Sequence, residues 1–456
     1  MAEPSLRKRI WGWYFFDWAS QPYHTVLLTF IFGPFFVSLA QESFLADGQT
    51  PEMASASAQS MWATCLTITG LIIGFGAPLL GSIADTAGRK MPWIAAFSLL
   101  YVLGASGIFF TQPDSSNLVM MMVVFSVGFI GAEYALIFTN AQLPGLGTPE
   151  EIGKLSGSGF SFGYAGGVMS LFFVLLFLAE QGNGKTLIGL DPLFGLLDAE
   201  LKQGTRSVGP FVALWFAIFM IPYFLWVREV RQPQTDASVG KALGNLWQSI
   251  LNLKLRRSLA AYLGSSMLYR DALNGLYSFG GAFAFLVLDF TVVDVGVFGI
   301  IAAIAACIFS YIGGHADERF GPKPVVIFSI WVLISVCLIL VNLTPHSIFG
   351  IKFAEGSSLS TIIFYVCGCL IGGMGGVIQS ASRTLMVRHS DPKSPTESFG
   401  LYGLSGRATS FLAPALIGLA TALTGNAGLG FAPLILLFTI GLIMLRWVNP
   451  NGEVYA

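Results

Sequence analysis

The sequence predicts an all-α integral membrane protein of twelve transmembrane helices in two pseudo-symmetric six-helix halves. Three observations carry that prediction. The 456 residues are 54% hydrophobic and 11% charged, with a mean hydropathy of +0.71, whereas an average soluble domain is about 25% charged. Apolar runs of the roughly 20 residues that a bilayer core requires recur about twelve times along the chain. Two polar landmarks then repeat half a chain apart.

The runs begin near residues 10, 61, 91, 117, 155, 209, 258, 291, 324, 359, 399 and 428. The first follows Arg7, Lys8 and Arg9 but is too long for a secretory leader. It contains Asp17 and Pro22, and no small-x-small cleavage site follows, so it reads as a first transmembrane helix. Pro22 removes the hydrogen bond to the Trp18 carbonyl and predicts a kink there. Two connections are long, one near 181–208 and one near 229–257. Of the 24 Lys and Arg residues, 17 fall at the N-terminus, in even-numbered loops and at the C-terminus. Only Lys185, Lys202, Arg206 and Lys352 fall in odd-numbered loops. Both termini are therefore expected in the cytoplasm, with the chain multi-pass in the cell (inner) membrane. Cys65, Cys307, Cys337, Cys367 and Cys369 lie in apolar runs without ligand spacing. Cys367 and Cys369 stand about 200° apart on a helix, so all five read as small core residues.

The repeat is read from two pairs of motifs. GSIADTAGRK (Gly81–Lys90) aligns without gaps on GHADERFGPK (Gly314–Lys323), placing Asp85 opposite Glu318. Thr148-Pro-Glu-Glu151 precedes the fifth run and Ser394-Pro-Thr-Glu397 the eleventh. Each reads as a helix start with Ser or Thr as N-cap, Pro at the first helical position and a Glu closing a capping box. The expected organisation is an N-terminal half 1–228, a basic linker 229–257 and a C-terminal half 258–456.

That architecture and the Gly-x-x-x-Asp-x-x-Gly-Arg-Lys loop resemble the major facilitator superfamily over essentially the whole chain. Within it, FDWASQPY (Phe16–Tyr23), NAQLPGLGTPEEIGKLSGSGFSFGYAGG (Asn140–Gly167) and ESFGLYGLSGR (Glu397–Arg407) resemble the unknown-major-facilitator family, which includes vacuolar autophagy-related amino-acid effluxers. Gln21-Pro22 departs from the small residues usual there. LYRDALNGL (Leu268–Leu276) resembles a bacterial branch of that family. The resemblance implies alternating access, a cavity lined by the first, fourth, seventh and tenth helices, and amino acids or other small polar solutes as cargo.

Buried polar residues occur on all four of those helices. Asp17, Gln21 and His24 share a face at i, i+4 and i+7. Glu133 shares a face with Asn140, and Arg270 with Asn274, while Asp271 points about 100° away. Gln379 and Arg383 continue the glycine stripe Gly368, Gly372, Gly376. Intramembrane charges pair or face water, so these ten residues are the expected solute and proton pathway, with Glu133 the foremost proton carrier. Arg383 could instead snorkel to the cytoplasmic surface. Asp85, Arg89 and Lys90, with Glu318, Arg319 and Lys323, are expected to form breakable cytoplasmic ion pairs, and Arg407 to gate against Asp85. Glycines at i+4 in the fifth run (Gly159, Gly163, Gly167) read as close helix packing.

The expected function is a secondary transporter of a small polar solute, coupled to protons. No phosphate-binding Gly-x-x-x-x-Gly-Lys-Ser/Thr loop is present, so ATP is not the expected energy source. No zinc-type His-Glu-x-x-His supports an enzyme. No cofactor, metal or nucleic-acid partner is implied; the expected partners are the solute, H+ and the bilayer, and the expected state is a monomer. A multidrug or metabolite exporter and a non-transporting receptor are the alternatives.

Overall fold

Proline punctuates the helices. Pro51, Pro92, Pro322 and Pro395 each stand at the first or second position of a helix, where the missing N–H has no helical acceptor to lose. In a computed structural model the chain is described over residues 4–111, 117–228 and 253–452, apart from 289, 291, 355 and 427, together with 244, 247, 248 and 251. Most of the predicted linker 229–257 thus lies outside the described residues.

The helices are α1 (Leu6–Pro22), a π-helical turn (Tyr23–Phe30), α2 (Phe32–Ala46), α3 (Pro51–Ala87), α4 (Met91–Gly107), α5 (Leu118–Asn140), α6 (Ile152–Phe177), a short α7 (Gln203–Arg206) and α8 (Val208–Trp226). They continue with α9 (Arg257–Val287), α10 (Val292–Phe320), α11 (Pro322–Asn342), α12 (Leu359–His389), α13 (Pro395–Ala408), α14 (Leu412–Thr424) and α15 (Ala432–Met444). Among the described residues, three two-residue strands (Leu343–Thr344, Ser347–Ile348, Ile351–Lys352) pair antiparallel between α11 and α12. Eleven helical stretches of the described residues are long and apolar enough to cross a membrane. The 31-residue α9, which carries Arg270 and Asp271, stands at the expected seventh span. The protein is therefore an all-α, multi-pass membrane protein. Phe75, Leu99, Val119, Leu214, Phe328 and Trp331 are exposed, as apolar side chains in contact with lipid tails would be.

The chain forms two compact units. The first comprises Met1–Gly76, Gly88–Thr139 and Phe162–Gln234; the second comprises Ala77–Ala87, Asn140–Ser161 and Thr235–Ala456. The end of α3 and the start of α6 thus pack with the C-terminal helices.

In the first unit an aromatic core surrounds Tyr23, which is fully buried. Its ring contacts Tyr101, Phe125 and Phe129, and its hydroxyl donates to Phe125 O at 2.6 Å. Glycines let α6 approach α1: a Cβ on Gly163, Gly166 or Gly167 would crowd Asp17, Trp18 or Thr25 at 3.2 Å or less. For Gly163 and Gly167 this is the expected close packing. In the second unit the stripe Gly368, Gly372 and Gly376 turns to α10, against Phe298, Ala302 O and Ser310 Oγ. Those glycines therefore serve helix packing and do not line a cavity. All five cysteines are free, three buried and two half-buried.

Candidate functional site

In the first unit the geometry centres on the break after α1. Pro22 ends the α-helix, and the chain continues in wider π turns, which commonly mark functional positions in helices. His24 sits in that segment, and its Nε2 lies 3.0 Å from Oε1 of Glu133 on α5. When Glu133 is ionised it accepts from Nε2, and when it is protonated it can donate to the neutral ring. The side chains are 29% and 15% exposed, so water can reach a proton shared by the pair. Asp17 is buried, its backbone and Cβ against Gly163, and Gln21 packs its Cγ over Gly167.

In the second unit Arg383 is held from several sides. It is 2% exposed. Its Nε donates to Ser156 Oγ at 2.9 Å, Nη2 to Ser156 O at 2.7 Å and Nη1 to Asn140 Oδ1 at 3.0 Å. The guanidinium lies 4.2 Å over the Phe160 ring. Ser156 Oγ itself donates to Ser380 O at 2.8 Å, one turn back on α12. Arg383 therefore does not snorkel: its planar fork binds the end of α5 and the start of α6 to α12. Asn140, grouped with Glu133 by sequence, belongs to this node. Ser156 and Phe160 escape sequence reading because a serine and a phenylalanine in an apolar run carry no signal of their own. Gln379 donates to Gly375 O at 3.3 Å on its own helix.

Arg270 and Asp271 serve the interrupted helix α13–α14. Arg270 donates Nη1 to Tyr402 O at 3.1 Å, stacks 4.3 Å over the Tyr402 ring and fills the space beside Gly406. Asp271, fully buried, accepts from Ala413 N at 2.9 Å and caps α14. Its second oxygen, Oδ1, is buried without a hydrogen-bond partner among the described residues. Asn274 is exposed.

The loop charges have the following partners among the described residues. Asp85 accepts from Thr396 Oγ1 at 2.6 Å and from Glu397 N at 2.9 Å, so it caps α13, where Ser394 makes no side-chain cap bond. The other predicted capping box is half made: Thr148 N donates to Glu151 Oε2 at 2.9 Å, and α6 begins only at Ile152. Arg89 is exposed and Lys90 precedes α4. Glu318 is half-buried, 3.7 Å from Lys154. Arg319 lies over Phe320, and Lys323 donates to Val448 O at 2.7 Å. Arg407 lies in the last turn of α13, its carbonyl accepting from Ser410.

The residue placed like Asp85 is Asp317, not Glu318. Asp317 is buried against Gly153 at the start of α6, as Asp85 is held at the start of α13. The gapless alignment missed this because the second motif carries one extra residue between its acid and Gly321. Gly313 to Asp317 has the same spacing as Gly81 to Asp85, and that was the available signal. A further node lay outside the sequence reading. His389 is fully buried, between Leu385 O at 2.9 Å and Ser258 Oγ at 2.8 Å, and Ser258 also accepts from Asn449 N at 2.7 Å.

Comparison with known proteins agrees with this architecture. The model of a family described as "Vacuole effluxer Atg22 like" matches residues 5–153 and 149–452. An uncharacterized MFS-type transporter, YxiO of Bacillus subtilis, is 24% identical over 454 residues, covering 96% of this chain and 94% of that protein. Autophagy-related protein 22 of Kluyveromyces lactis is 24% identical over 300 residues, covering 63% of this chain and 56% of its own length. Among solved structures, the transporter FucP in its outward conformation matches with a TM-score of 0.69 at 15% identity, over 96% of this chain and 98% of that one. The proton:xylose symporter XylE matches with a TM-score of 0.70 at 11% identity, over 97% and 95%. The fold is that of the major facilitator superfamily, and these relatives are transporters and not enzymes. The chain belongs to the Atg22-like family of major facilitator transporters.

Proposed function

We propose that this transporter moves a small polar solute, an amino acid or a similar molecule, by alternating access, and that a proton accompanies it. The observation that carries the proton is the contact of His24 with Glu133 at 3.0 Å. Two titratable groups share it inside membrane-spanning helices, at a π-helical segment, with partial exposure. Charges in such helices mark ion and solute paths more often than scaffolding. Neutralising either group changes the charge of the other's surroundings, which is how a proton and a cargo can be linked. The family description and a proton symporter among the structural relatives support the same reading. Arg383, Asn140 and Gln379 are the remaining polar groups proposed for the pathway, and Asp85 and Arg407 for the gate. The Lys and Arg distribution supports cytoplasmic termini; a cell (inner) membrane, halves 1–228 and 258–456 joined by a linker, and a monomeric working state complete the reading.

The test is the pH inside proteoliposomes while amino acids, organic acids, sugars and cationic drugs are added in turn without a preset gradient. One solute class should drive a pH change that Glu133→Gln abolishes. A wild-type protein that takes up a solute in net amount without any pH change would refute the coupling.

A further inference from the structure

Asp317 is 1% exposed, and among the described residues no donor reaches either of its carboxylate oxygens. Its surroundings explain why. Gly153 is so near that a Cβ there would fall 2.5 Å from Asp317 Cγ. The Thr384 hydroxyl faces it from α12 but donates to Ser380 O at 3.2 Å. Arg388, the cation facing it from the same helix, gives Nη1 to Pro450 O at 2.9 Å, and its Nε is buried without a partner. Lys154 on α6 lies 3.7 Å from Glu318, and Arg319 on α10 lies over Phe320.

What seals Asp317 is a seam of small residues between α6 and α10. A Cβ on Gly157 would fall 2.4 Å from Gly314 Cα, and Ser161 Oγ lies 3.6 Å from Cys307 Sγ. With the seam closed, an ionised Asp317 would be a buried charge without a hydrogen bond, a far costlier state than the neutral acid. With the seam open, water solvates the carboxylate and it ionises at ordinary pH.

We propose that Asp317 is a proton-binding site that fills when the α6–α10 seam closes and empties when it opens. The proton enters and leaves at the Lys- and Arg-rich, expected cytoplasmic end. It therefore sets how readily this side closes and does not cross the membrane. This is separate from the proton proposed at His24 and Glu133. Linkage gives the sign: protons bind the closed form, so acid on this side closes the seam, shifting the open-to-closed ratio by up to about tenfold per pH unit.

The test uses Ser161→Cys against the native Cys307, with the other four cysteines replaced by alanine, in proteoliposomes. Oxidative crosslinking is followed from pH ~8 to ~3.5, a span that takes in an aspartate perturbed upward and reaches below its ordinary value of about 3.9. The same chain carrying Asp317→Asn controls for thiol chemistry, since its seam closes without a proton. The yield of the Asp317 chain relative to the Asn chain should approach one in acid and fall steadily as pH rises. A constant ratio across that range overturns the proposal and shows Arg388 holding Asp317 ionised in the closed seam. Should Asp317→Asn fail to fold, spin labels at positions 161 and 307 of the parent must separate as pH rises, and a fixed distance is equally fatal. Neither result bears on solute-driven proton movement, which tests the transport reading by itself.

Discussion

The indole N–H of Trp215 donates to the carbonyl of Trp18 at 3.2 Å, the acceptor from which Pro22 withholds the helical donor. The Trp18 and Trp215 rings also stack at 5.7 Å. A proline break in a transmembrane helix leaves a backbone carbonyl that lipid cannot satisfy, and a side chain from α8 meets it here. Trp215→Phe keeps the ring and removes the donor, so it should cost about 1–3 kcal/mol and lower Tm in detergent. Pro22→Ala restores the helical donor, so Trp215→Phe should cost much less in that background. Equal losses in both backgrounds would show the stacking, not the hydrogen bond, to be what matters.

Glu133→Gln should retain solute counterflow and lose solute-driven proton movement, because the amide still accepts from His24 but cannot take up a proton. His24→Asn should behave alike, removing the partner at 3.0 Å while keeping a donor. Counterflow of labelled solute against internal pH separates the two quantities. A Glu133→Gln protein whose pH signal matches the wild type would move the proton to another group, with Asp271 next in line.

Much of this was legible in the sequence, and the failures have physical causes. The spans, the start of α13 at Pro395 and the polar residues on helices could be read because hydropathy and proline act locally. Side-chain partners could not. Asn140 and Glu133 share a helix face at i+7, yet one meets Arg383 and the other His24, because α5 is long enough to reach two environments. Asp85 and Asp317 show the same limit. The motif announces an acid, but that the acid caps or abuts the start of a distant helix is a tertiary fact.

Arg383 should tolerate neither shortening nor simplification. Lysine offers a point charge where three bonds converge on Asn140 and Ser156 from one plane. Arg383→Lys should therefore lower stability by about 1–3 kcal/mol, and Arg383→Ala by more. Ser156→Ala removes only the Oγ acceptor and keeps the carbonyl bond, so it should be milder than either. Thermal unfolding of the three variants in one detergent orders them, and a harmless Arg383→Ala would rule out the node as a stabilising element.

Asp85 holds the start of α13 through Thr396 Oγ1 and Glu397 N. A carboxylate at a helix start satisfies an orphan N–H and meets the positive end of the helix dipole. Asp85→Asn keeps an acceptor and loses the charge, so it should cost less than Asp85→Ala, which should approach about 1–2 kcal/mol. Thr396→Val on the Asp85→Ala background should then add little, since the partner has already gone. Full additivity of the two losses in thermal unfolding would contradict a shared contact.

Gly157 tests the α6–α10 seam without touching a titratable group. A Cβ at this position would lie 2.4 Å from Gly314 Cα and 2.5 Å from Ser310 O, both backbone atoms that cannot rotate away. The helices must part to admit even a methyl group. In the Ser161→Cys chain, Gly157→Ala should therefore lower crosslinking to Cys307 at every pH, with Gly157→Val lowering it further. Gly182 is the control, since nothing lies within 4 Å of a Cβ built there, and Gly182→Ala should leave the yield alone. Because Asp317 remains in place, Gly157→Ala should also move the pH dependence of crosslinking toward acid, as more protons are needed to close a seam held apart by sterics. Undiminished crosslinking in Gly157→Val would mean that the two helices do not close on each other at this glycine pair.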